Sequence, residues 1–177
     1  MRTVDGMKLV ACCAMTVTAV GGLVPTPIGA GPRYRPPAHS GAGFACGQAP
    51  LRAGDRVHLE LFAHRRVVIV PAGVGIRGGR SRLGRVVAAA CRGRAWTLDP
   101  SGVVRYESPA TLGAVFAVWG QPLGPNRLAS FRGPVSVWLN GVRRRGDPRT
   151  LPLRDRDEIV LEIRGYVPPH PSFSFPP

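Results

Sequence analysis

The sequence predicts a mostly β, α+β architecture: one small antiparallel β domain with a single short helix, preceded by an N-terminal hydrophobic segment. Three observations predict it. Apolar residues make up 44% of the chain but aromatics only 7%, so the core must be built mainly from Val, Leu, Ile and Ala, and Val-rich runs suit a pleated surface. Short runs with period-two alternation recur between Gly-, Pro- and Asn-containing turns. Only one stretch carries both helix start and helix stop signals.

The elements follow in chain order. Alternation in Arg56–Phe62 and the apolar run Arg65–Val70 predict a hairpin turning at Ala63 to Arg65. Further strands are expected at Ala95–Leu98, Gly102–Glu107, Val135–Leu139 and Glu158–Ile163. Asp99-Pro-Ser-Gly102 and Asn140-Gly141 are turn signals, the second of the kind that supplies positive φ in a tight hairpin. Ser108-Pro109 precedes a helix expected at Thr111–Trp119, with Gly120 as its C-terminal stop. No internal repeat is visible.

With 177 residues, one domain of about 120 residues is expected once both ends are set aside. Residues 1–30 read as a signal peptide or single membrane anchor: Arg2 and Lys8 precede the uncharged, largely apolar segment Leu9–Ala30, which implies export. Thr16, Thr18, Gly21 and Gly22 weaken an anchor, and no clear peptidase site marks cleavage, so a removed leader and a retained anchor both stand. Leu9-Val-Ala-Cys12 is similar to a lipoprotein signal, but the apolar run follows Cys12 instead of preceding it. Residues 31–43 read as a Pro/Gly-rich spacer that does not pack, 44–166 as the β-rich extracytoplasmic domain, and 167–177 as an extended Pro-rich tail, laid along the sheet or loose.

Beyond the leader stand two cysteines, Cys46 and Cys91. In an exported domain a disulfide is the simplest use of such a pair, worth roughly 3–4 kcal/mol by chain entropy. A metal pair is the alternative, without CxxC spacing or neighbouring histidines to support it.

The formal net charge is +14, and Lys8 is the only lysine, so the domain's positive charge is carried by arginine. Arg77, Arg80, Arg82, Arg85, Arg92 and Arg94 follow one another with no acid between Glu60 and Asp99, forming a candidate anion-binding loop. The alternative is a solvated loop whose arginine content reflects genome composition. Nucleic-acid binding is disfavoured because no aromatic residues interleave with these arginines to stack bases. Arg143-Arg-Arg145 reads as a charged hairpin end.

Gly73-Val-Gly-Ile-Arg-Gly78 formally fits a dinucleotide-binding loop, with Asp99 beyond it. Pro71 before the loop, Gly84 within the would-be helix Ser81–Ala90 and the absence of further βα units argue for a glycine-rich β loop instead. No GxSxG or HExxH is present, and the four histidines are scattered singly. Asp155, Asp157 and Glu158 cluster beside Arg154 and Arg156, predicting a salt-bridged turn. No catalytic set, metal ligand or cofactor is assigned.

An ordered series of landmarks carries a resemblance: Cys46, His58-Leu59, Val70-Pro-Ala-Gly-Val-Gly-Ile76, Cys91, Asp99, Gly102, Glu107-Ser-Pro109, Leu112-Gly113, Phe116, Trp119-Gly120, Pro122-Leu123, Asn140-Gly141, Asp147-Pro-Arg149, Leu151-Pro-Leu153 and Phe175-Pro176. From Cys46 to Pro176 the chain resembles an uncharacterised family of small exported or membrane-anchored domains, common in actinobacteria. That family's His-rich pattern implies a metal site at positions held here by Arg56, Trp96-Thr97-Leu98 and Arg105. The resemblance therefore implies a His-depleted member with a remnant site at His58, Thr97, Asp99, Arg105 and Glu107; convergence of His58, Trp96, Leu98, Arg105 and Glu107 on one pocket would mark an overwritten site, and their scatter a packing role for the family's histidines. The expected function is non-enzymatic binding of an anionic envelope component or a protein partner. The alternatives are a degenerate relative of a metal-binding protein or metalloenzyme and, more remotely, nucleotide or nucleic-acid binding.

Overall fold

In the computed structural model, residues 33–38, 41, 43–47, 50–164 and 168–176 are described. The leader Leu9–Ala30 with Cys12, and also His39, lie outside them. No helix among the described residues is long and apolar enough to cross a membrane.

The strands are β1 Arg33–Tyr34, β2 Asp55–Ala63, β3 Arg66–Val68, β4 Ile76–Arg77, β5 Arg80–Arg82, β6 Arg85–Ala88, β7 Cys91–Arg92, β8 Ala95–Trp96 and β9 Val103–Tyr106. Helix α1 (Leu112–Trp119) follows, then β10 Leu123–Gly124, β11 Arg127–Leu128, β12 Phe131–Arg132, β13 Val135–Leu139, β14 Val142–Arg144, a 3₁₀ turn at Pro148–Thr150, and β15 Glu158–Ile163. The mostly β fold with one short helix matches the expectation.

The main sheet runs β1-β3-β2-β15-β13-β14, with β9 pairing the first half of β2 and β8 pairing β9. Most pairs are antiparallel, but two are not. The central strands β2 and β15 are parallel, His58 facing Glu158 and Ala63 facing Ile163, and β1 runs parallel to β3. The sheet is therefore mixed. Sequence alternation reports which residues share a face but not strand direction, and a parallel pair needs a long crossover, here the chain between β2 and β15.

The predicted turns form as their chemistry requires. His64 and Arg65 at φ 49° and 64° join β2 to β3, and Asn140 and Gly141 at φ 51° and 76° join β13 to β14. Thr111 caps α1 by accepting from Ala114 N, and Gly120 closes it in the left-handed conformation.

One face of β2 and β15 buries Val57, Leu59, Leu61, Ile159, Leu161 and Ile163 against Val115, Phe116 and Trp119 of α1. The other face carries His58, Glu60, Glu158 and Val160. Across it lies the C-terminal strap, residues 168–176: Phe173 stacks on His58 with centroids 3.7 Å apart, and Arg56 Nη1 donates to the Pro176 carbonyl at 2.6 Å. All six β15 residues are buried as a result.

Residues before Phe44, expected to act as an unpacked spacer, also contribute. Tyr34 pairs with Val68, Pro36 is buried, and Trp119 Nε1 donates to the Pro37 carbonyl at 3.2 Å. Extended proline-rich backbone keeps its carbonyls available as acceptors, which allows such docking. Cys46 and Cys91 are disulfide-bonded, tying the start of the domain to β7.

Two stability tests follow. Replacing both cysteines by serine is expected to lower unfolding free energy by roughly 3–4 kcal/mol in non-reducing denaturant titrations. Tyr106 is fully buried, its hydroxyl has no hydrogen-bond partner among the described residues, and burial pushes its pKa up to about 12. The folded state then holds the proton between pH 10 and about 12 while the unfolded chain releases it, so stability falls as pH rises through that window. Tyr106→Phe should remove that alkaline loss and raise stability near neutrality by about 1 kcal/mol.

Candidate functional site

The arginine-rich segment does not form a uniform loop. It folds into a short hairpin, β5–β6, whose two-residue turn Leu83-Gly84 has φ 49° and 75°. Arg80, Arg82 and Arg85 project from it, and Arg82 stands directly opposite Arg85. Like charges facing each other across two strands repel. Asp99 offsets Arg85 at 3.0 Å, whereas Arg80 and Arg82 have no acidic partner among the described residues. At the tip Leu83 is 97% exposed, and Val87, further along β6, 57%. Of the three large apolar side chains exposed among the described residues, two thus lie on this hairpin, amid arginines.

The other three arginines have different surroundings. Arg92, expected to bind anions, is buried: its guanidinium lies 3.7 Å over the Trp96 ring and donates to Glu107 at 2.8 Å and to the Gly93 carbonyl at 3.0 Å. It is part of the packing and is withdrawn from the anion-binding set. Arg94 faces the same Glu107 at 3.7 Å, and Arg77 lies 4.4 Å over the Phe44 ring. The sequence spacing placed all six on one loop, but the change to β7 turns Arg92 inward.

The expected remnant site does not assemble. Trp96 and Leu98 pack with Val86 into a small second core, and Trp96 Nε1 donates to the Leu51 carbonyl. Arg105, opposite Trp96 on β9, donates to the Arg52 carbonyl at 2.8 Å. Glu107 is engaged by Arg92 and Arg94. Thr97 Oγ1 accepts from Val74 N and donates to the Pro71 carbonyl, tying down the loop 70–76. Asp99 bonds Ser101 and Arg85. His58 sits elsewhere, on the strap-covered face. Trp96, Arg105 and Glu107 are thus neighbours, linked by the β8–β9 pair and by Arg92, whereas His58 lies on the strap-covered face, so the five do not close around one pocket.

The glycine-rich loop leads into β4 and the hairpin, so no helix N-terminus faces it. Gly75 is needed because a Cβ there would meet the Ala95 carbonyl at 1.9 Å. The expected salt-bridged turn is also revised. Asp155 accepts from Arg56 N and Asp157 from Arg154 N and Asn140 Nδ2, while Arg156 reaches Asp155 only at 3.9 Å. Backbone and amide donors, closer than the arginine side chains, organise it.

The contact that sequence reading missed is a buried one. His58 Nδ1 lies 2.7 Å from Glu158 Oε2, and His58 Nε2 lies 2.9 Å from the Ser101 carbonyl. Burial pushes the Glu158 carboxyl above the usual range, and the His58 hydrogen bond pulls against that shift. His58 and Glu60, at alternate positions of β2, were the only local signal.

Comparison with protein-family models, with curated proteins and with solved structures gives no match.

The division among the arginines is testable by stability. Arg92→Ala should cost about 2 kcal/mol, through lost stacking on Trp96 and the lost ion pair, whereas Arg80→Ala and Arg82→Ala should each lie within about 0.5 kcal/mol of the parent in denaturant titrations.

Proposed function

We propose that the chain is an exported, non-enzymatic domain that binds the anionic lipid surface of the envelope through the β5–β6 hairpin. The observation carrying this reading is the hairpin itself, where Arg80, Arg82 and Arg85 flank a leucine left 97% exposed at the turn. Arginine at headgroup depth meets phosphate with several donors, and an apolar tip gains by entering the acyl boundary. The net charge of +14 favours approach to such a surface.

The uncharged leader and the Cys46–Cys91 disulfide support a location outside the cytoplasm, where thiols oxidise. Attachment through the N-terminal segment would hold the hairpin near the same membrane. The Arg144–Arg145 side of the molecule also borders a cleft of about 330 Å³, but Asp147 and Asp157 line it too, which makes it less suited to polyanions.

Vesicle co-sedimentation checks the reading. Binding to phosphatidylglycerol-containing vesicles should exceed binding to purely zwitterionic ones and fall as salt rises. With about 1 kcal/mol per arginine, replacing Arg80, Arg82 and Arg85 together by alanine should weaken binding about 100-fold, and Leu83→Asp should weaken it further. Equal binding to both vesicle types, or no effect of the triple substitution, would overturn it.

A further inference from the structure

The strap-covered face of β2 and β15 holds a set of metal-ligating side chains unrelated to the arginine hairpin. His58 and Glu60, two residues apart on β2, project from one face, and the parallel register sets Glu158 directly opposite His58. One ligand atom from each of these three side chains lies within 4.8 Å of the others. From the strap, His170 Nδ1 approaches the two Glu60 oxygens at 2.8 and 3.0 Å. One imidazole and two carboxylates from two strands thus cluster, and a second imidazole, from the strap, adjoins them through Glu60.

Three details distinguish this arrangement from a simple buried hydrogen-bonded pair. The Ser101 carbonyl only accepts, so His58 Nε2 carries a proton and Nδ1 turns toward Glu158. Imidazoles that ligate metals are oriented in this way, by a carbonyl on the far nitrogen. Glu158 Oε1, on a side chain with no exposed surface, has no hydrogen-bond partner among the described residues, although buried carboxylate oxygens normally have a donor or a cation. A cleft of about 140 Å³ lined by His58, Glu60 and Ser101 opens beside the cluster, and the His170 side chain is 38% exposed, so an ion has a route in.

We infer that His58 Nδ1, Glu60, Glu158 and His170 Nδ1 bind one divalent metal ion of the zinc class. Imidazole and carboxylate donors in this number suit tetrahedral Zn²⁺. Two ligands each about 2.0 Å from such an ion stand about 3.3 Å apart, so the His58–Glu158 contact opens by about 0.6 Å and Glu60 and His170 close inward. Binding expels to solvent whatever proton lies between His58 Nδ1 and Glu158. Because His170 belongs to the strap, the ion pins residues 168–176 onto the sheet, with Phe173 stacked on the His58 ring. The site is independent of membrane binding, since the hairpin residues take no part in it.

The test uses the full chain with Cys12 and Cys13 alkylated and the disulfide intact, stripped by chelation, dialysed and titrated with Zn²⁺. One equivalent should bind, and the melting temperature should rise with free Zn²⁺. Glu158→Gln, nearly isosteric, should weaken binding by about 100-fold, and His170→Ala, altered only on the strap, by about 10-fold or more. His64→Ala, whose ring contacts the Arg132 carbonyl instead, should bind as the parent does. Less than one equivalent in the parent, or unchanged affinity in both Glu158→Gln and His170→Ala, would overturn the inference and leave the cluster a hydrogen-bonded pair.

Discussion

The parallel pairing of β15 with β2 is the constraint from which the rest of the architecture follows. It joins Glu158–Ile163, near the end of the chain, to His58–Ala63, near the start of the domain. Parallel neighbours cannot be linked by a tight turn, so the chain between them becomes a crossover that includes the helix, the hairpins and the small satellite sheets. A strand flanked by β2 and β13 and buried along its whole length also needs cover on both faces. The helix and its neighbours provide one cover. The other comes from the Pro-rich tail, which composition left either along the sheet or loose, and it places imidazole, carboxylate and aromatic groups from both ends of the domain in contact.

Arginine takes contrasting roles in the same short segment because local geometry decides what each guanidinium meets. On β7 the chain turns inward, and Arg92 spreads its planar group over Trp96 while Glu107 offsets the charge. On the hairpin only Val86 turns inward, against Trp96 and Leu98, and no described residue covers the outer side, so Arg80 and Arg82 project into solvent around Leu83. A side chain with a flat cation can serve as a core plate or a phosphate donor. The sequence contains no mark that separates the two uses.

The buried carboxylates follow a similar logic. Glu158 is removed from water by the strap and by its position on the central strand, at a cost that only a close donor or cation offsets. His58 supplies a partner because the register places it directly across the pair. A shift of one residue would turn Glu158 into the apolar core and Ile159 toward the strap, so the burial of Ile159, Leu161 and Ile163 holds the polar pair in register as well.

Much of the architecture was legible before any coordinates. Alternation located β2, β13 and β15, Asn140-Gly141 marked its hairpin, Thr111 and Gly120 bounded the helix, and the paired cysteines indicated the disulfide. These signals are local, or rest on general oxidation chemistry, and short-range backbone preferences suffice to express them. Strand direction, the docking of both proline-rich ends, the withdrawal of Arg92 and the meeting of His58, Glu60, Glu158 and His170 were decided by tertiary structure. Each depends on which distant segments share a face, and His170 lies 110 residues from Glu60 in the chain. Period-two patterning records that a residue points in or out; it carries no information about which segment returns to cover it.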